Sequence, residues 1–95
     1  MTAAEKIEAA GFEDVIIFEG YSYDDALVGV IEDRQTVDDY GMEGFRAVYD
    51  YDKMVAWLVK TQGMTTEEAI EWIEYNTIGA LANAGPKGPL IMYSL

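Results

Sequence analysis

Apolar and polar positions change rhythm several times along this chain, and each change marks a different element. The clearest helical rhythm follows Met64. At about 100° per residue, Ala69, Ile70, Ile73, Thr77, Ala80 and Leu81 share one arc, which is expected to face a sheet. Thr65 and Glu68 have capping-box spacing, and Met64 and Ala69 fit the hydrophobic staple around it. Trp72 and Tyr75 fall off the arc. Either a second layer, the preceding helix or the tail, covers Trp72, or the Trp72–Tyr75 side is exposed to meet a partner. With two adjacent helices in so short a chain, covering is the expected outcome. Asn76 and Thr77 lie at the boundary, where polar side chains bond backbone groups of the following turn.

The preceding helix shows a broad apolar arc of Met54, Val55, Leu58 and Val59 with Trp57 at its margin. Asp50 or Asp52 caps it and Gly63 ends it. Near the start, Thr2 and Glu5 form another capping-box pair, and Gly11 followed by Phe12 reads as a left-handed helix stop. Strand rhythm appears in three or four places. Val15 to Phe18 (VIIF) is a compact β-branched and aromatic run, predicted as a central strand buried on both faces. ALVGVI (26–31) reads as a second strand with Gly29 marking a bulge or a close backbone approach, and FRAVY (45–49) as a third. Pro89 sends the chain into LIMY (90–93), a terminal strand. GYSYDD (20–25) is turn-rich. EDRQTVDDYGMEG (32–44) lacks periodicity and is predicted as an acidic loop of about a dozen residues. The expectation is a single α+β domain over 1–95. It has a small antiparallel sheet of three to four strands, an N-terminal helix and two consecutive helices packed on the sheet.

Composition narrows the chemistry. With 51% apolar residues in 95, the chain builds one real core, and a large internal substrate cavity would compete with it. Its 18 acids against 6 bases give a net charge of -12. Such a surface repels nucleic acid and anionic membrane and favours a basic partner, although acidity serves solubility as well. There is no Cys or His, so disulfides, thiolate nucleophiles, zinc-thiolate sites and the usual triads are excluded. No apolar run approaches the roughly 20 residues of a membrane span. MTAAEKIEAAG reads as an amphipathic helix rather than a signal peptide, and the expected location is the cytoplasm.

Paired carboxylates at Asp24-Asp25, Glu32-Asp33 and Asp38-Asp39 are adjacent loop residues. They do not by themselves provide the separation, about 5 to 9 Å, that glycoside hydrolysis needs. DDYGMEG lacks the alternating ligands and the placed glycine of a calcium loop. No phosphate-cradling glycine motif occurs. The expectation is a protein without enzymatic activity, metal or cofactor. What remains is a binding surface: Glu32, Asp33, Asp38, Asp39, Tyr40 and Met42 in the acidic segment, with Trp72 and Tyr75 on the helix. Aromatic and Met anchors inside an acidic rim suit a basic, partly apolar protein.

Taken together, YDDALVGV, AVYDYDKMVAWL, GMTTEEAIEWIEYNTIGAL and GPKGPLIMY resemble an uncharacterised family of small acidic proteins from phages and prophages of Gram-positive bacteria. The family pattern runs DALIGV, VYDYDKM, EEAIEWIDYNTIRALPY, a Gly turn and PIIMY. The resemblance covers roughly residues 21–95, and EWIEYNT is its most specific part. The chain departs from the pattern in a longer connection between Val30 and Ala47. It also has Gly79 where arginine is usual, and ANAG where PYAG is usual. The resemblance implies an accessory protein of a mobile element, acting in the bacterial host cytoplasm by binding and modulating a host protein, anti-phage defence factors included. Two other readings stay open: a small-molecule or nucleotide-signal binder with Trp72, Tyr75 and Asn76 as its wall, and a structural homo-oligomer or homodimer.

Overall fold

The computed structural model describes residues 1–37, 43–85 and 87–95, without the side chains of 34–37, 43 and 82. Helix α1 (Ala3–Ala9) leads through an irregular segment and a 3-10 turn (Asp24–Ala26) into strand β1 (Leu27–Val37). Strand β2 (Glu43–Asp50) runs directly into helix α2 (Tyr51–Gln62), and α3 (Thr66–Trp72) continues as a π-helical stretch, Ile73–Ile78. A 3-10 turn (Leu81–Asn83) precedes strand β3 (Leu90–Met92). The α+β architecture is the expected one, with an N-terminal helix and two consecutive helices beside a three-stranded sheet.

Local chemistry explains the helix ends. Thr2 and Thr65 each accept the backbone N–H of the residue three positions on, and Glu5 and Glu68 accept the cap residue's own N–H, at 3.0 to 3.1 Å. Of the two candidate caps for α2, Asp50 takes the role, accepting from the Lys53 backbone at 3.1 Å. Gly63, at φ 67°, ends that helix in the left-handed region.

The sheet has the order β1-β2-β3. β1 and β2 are antiparallel, with an irregularity between Leu27 and Gly29 where the glycine predicted a bulge. β3 lies parallel to β2, Val48 opposite Leu90 and Asp50 opposite Met92, so the sheet is mixed rather than wholly antiparallel. The α2–α3 connection is long enough to carry the chain back for a parallel pairing, which a hairpin cannot do.

Two expectations are corrected. The VIIF run is extended but belongs to no strand. The centre of the sheet is β2, flanked by β1 and β3, and this run contributes side chains instead of a ladder. Phe18 packs its ring on Tyr49 at 4.7 Å and on Tyr23 at 5.7 Å. The dozen-residue loop is mostly strand: β1 continues to Val37 and β2 begins at Glu43, leaving only 38–42 between them. Polar residues pair as well as apolar ones where the backbone carries the ladder, and Arg46 bridges to Asp33 across the ribbon at 3.2 Å.

The core unites Ile7 of α1, Tyr23, Tyr49 of β2, Met54 and Leu58 of α2, and Ile73 at the end of α3. The predicted α3 arc holds for Ala69, Ile73 and Thr77, which are buried. It fails at Ile70, which is 39% exposed ahead of the π-helical stretch, and at Ala80, which is exposed beyond it. The π-helical stretch inserts an extra residue into the turn and rotates the next one out of phase. Among the described residues, no helix is long and apolar enough to cross a membrane.

Candidate functional site

The predicted site residues divide between two regions. Glu32 and Asp33 stand on β1, where Asp33 is engaged by Arg46 and both take part in further interactions. Asp38, Asp39, Tyr40 and Met42 lie outside the described residues. Phe45, which follows the acidic segment in β2, packs its ring on Phe12 at 5.1 Å. Trp72 and Tyr75 stand on the far helix, which packs chiefly against α2.

Trp72 is neither fully covered nor free, at 37% exposure. An aromatic ring from outside the two helices contributes to its cover. Tyr21, in the segment before β1, places its ring 5.1 Å from the indole, and Trp57 of α2 lies behind it at 6.1 Å. Between this segment and α3 opens a cleft of about 420 Å³, walled by Ile16, Phe18 and Tyr21 on one side and by Trp72, Ala80 and Leu81 on the other. At its floor, the buried hydroxyls of Tyr23 and Thr77 share a hydrogen bond of 2.5 Å. Burial pushes the Tyr23 phenol above its ordinary range, and hydrogen bonds with Thr77 and Trp72 partly offset this. Thr77 thus bonds a distant side chain rather than the following backbone turn.

Both floor residues sit on unusual backbone. Tyr23 has φ 50° and ψ 47°, the left-handed region, which for a non-glycine residue costs on the order of 1–3 kcal/mol. Thr77 lies in the π-helical stretch Ile73–Ile78, a geometry that recurs at functional sites. Asn76 and Asn83 also line the cleft, and both are exposed. Glu19 is the one charged residue among the described lining residues.

A second surface lies outside the cleft. Tyr75 is 78% exposed, with Glu71 and Glu74 exposed beside it on the helix. The Tyr51 hydroxyl donates to Glu74 Oε1 at 2.9 Å, and its ring stacks on Tyr93 at 5.0 Å. Tyr93 is itself 61% exposed. Burial and the neighbouring Glu74 carboxylate push the Tyr51 phenol up to about 12. Tyr51 thus links Glu74 of the helix to Tyr93 of the C-terminal segment. Sequence reasoning missed Tyr21, Tyr51 and Tyr93. A pair of tyrosines inside the turn-rich GYSYDD was the available signal for the first.

Among the described residues, no group of three or more acids is arranged to hold a metal ion. Compared with known proteins, the chain matches no family model, no curated protein and no solved structure. The geometry itself therefore bears the functional reading.

Proposed function

We propose that this protein is a binding module that engages a basic protein through an acidic, tyrosine-bearing surface. The observation that carries the reading is the linked trio Glu74–Tyr51–Tyr93 together with the exposed Glu71 and Tyr75 on the same helix. Two of these tyrosines are largely exposed on a molecule of net charge -12. Tyrosine supplies a large, stiff contact at low entropic cost, and surrounding carboxylates steer a cationic partner and reject anionic ones. The action is occlusion of the partner's surface, by bulk or by charge.

The resemblance to phage and prophage proteins supports a setting for this action: a mobile-element accessory protein in a bacterial host cytoplasm, modulating a host factor such as a component of anti-phage defence. The test is affinity capture from host lysate at moderate salt, with the native chain, a Tyr75→Ala/Tyr93→Ala double variant and an equally acidic control protein. A defined basic protein should be recovered by the native chain and lost from the double variant. Recovery no different from the acidic control ends the reading. Equal capture by the double variant moves the surface elsewhere. Sedimentation at two concentrations separates this from self-association, which would bury the same tyrosines.

A further inference from the structure

The cleft beside Trp72 stands apart from the tyrosine surface and has the features of a site in its own right. Two irregular pieces of backbone, the left-handed Tyr23 and the π-helical turn at Thr77, meet at its floor and are joined hydroxyl to hydroxyl. A regular helix over 73–78 would not present the same face. The volume of about 420 Å³ falls in the range typical of small-molecule sites, roughly 300–1,000 Å³, and exceeds what one inserted side chain of a protein partner would fill.

The lining defines the ligand. Tyr21 and Trp72 supply the aromatic part of the lining, one from each side, and Ile16 and Leu81 the aliphatic part. Exposed carboxamides at Asn76 and Asn83 supply hydrogen-bond acceptors, and Glu19 supplies a negative charge. No lysine or arginine is among the described lining residues, so a phosphate or carboxylate would enter without a counter-charge. We infer that the cleft binds a small organic cation, an ammonium or amidinium group carried on a flat apolar body. The body lies between the two sides, each of which offers an aromatic and an aliphatic side chain. The cation is held by the π-systems of Trp72 and Tyr21, by Glu19, and by the carboxamide oxygens. The net charge of -12 concentrates such ligands near the surface and excludes nucleotides. This assignment does not depend on any protein partner.

A charge series of equal shape tests it: 2-naphthylmethylammonium, 2-naphthylmethanol and 2-naphthoate, titrated into the isotopically labelled chain and followed by NMR. The cation should shift the Trp72 indole and the Asn76 and Asn83 side-chain amides, and bind about tenfold tighter than the alcohol, with the carboxylate unbound. Glu19→Gln, at an exposed position, should narrow the gap between cation and alcohol. Ala80→Trp, also at an exposed position on the wall, should abolish both while leaving resonances remote from the cleft in place. The assignment is overturned if the alcohol matches the cation, if the carboxylate binds, or if the cation leaves these resonances unmoved. Undiminished binding to Ala80→Trp would overturn it equally.

Discussion

Helices α2 and α3 are neighbours in sequence and in space, and both begin with caps that are plain in the chain. They then diverge. α2 runs regularly for 12 residues, buries Met54 and Leu58, and stops at a left-handed glycine. α3 is regular for 7 residues and then passes through π-helical and 3-10 turns. The regular helix serves the core, and the irregular one shapes a cleft and an exposed tyrosine surface. A cap fixes where a helix starts, while tertiary contacts decide whether its later turns stay regular.

Substitutions can break or sharpen this contrast. The largest effect is expected in α2, where Leu58→Ala removes a side chain with no exposure and should cost about 3 kcal/mol in denaturant unfolding. In the π-helical stretch, Thr77→Val keeps the shape but removes one of the two hydrogen bonds of the buried Tyr23 hydroxyl, a loss of about 1 kcal/mol. An equal loss in the double variant with Tyr23→Phe would show that the bond is not what matters.

At the start of α2, Asp50→Ala should cost roughly 0.5–2 kcal/mol through loss of the cap. A hydrogen bond from Ser94 and another from the Lys53 backbone hold the Asp50 carboxyl below its ordinary range. Its contribution is therefore complete above the ordinary carboxylate range and lost as pH falls through the lowered value. Acid titration of stability should be shallower in the alanine variant. The smallest effect is expected at Tyr49, whose buried hydroxyl has no hydrogen-bond partner among the described residues. The Phe18 backbone opposes burial in its titration without making a well-aligned bond, and the phenol is pushed up to about 12. Tyr49→Phe should be neutral or slightly stabilising. Absorbance titration should show Tyr49 and Tyr51 ionising well above the ordinary tyrosine range. Stability should fall as pH rises from the ordinary tyrosine range, about 10, toward that value.

Local grammar carries much of the fold. The capping boxes at Thr2 and Thr65, the stop at Gly63, the bulge at Gly29 and the terminal strand before Met92 depend on near neighbours, and near neighbours are what a sequence displays. The VIIF run misleads because a β-branched apolar run is equally content as a strand or as an extended cover over aromatic rings. Which one forms depends on tertiary partners, here the rings of Tyr23 and Tyr49 that Phe18 packs on. The ribbon at 32–37 misleads because polar composition says little about backbone pairing. Of the site, Trp72 stands out by its position off the apolar arc. Tyr21 does not, because its contact with Trp72 spans about 50 residues of chain and no local pattern records that.

The parallel pairing of β2 with β3 has a kinetic consequence. Val48 and Leu90 meet across about 40 intervening residues, so their contact closes a long loop for only three residues of ladder. The β1–β2 ribbon and the two helices need no such closure. In refolding, substitutions at Leu90 or Ile91 should therefore speed unfolding far more than they slow folding, marking the last strand as a late arrival that locks a sheet already begun.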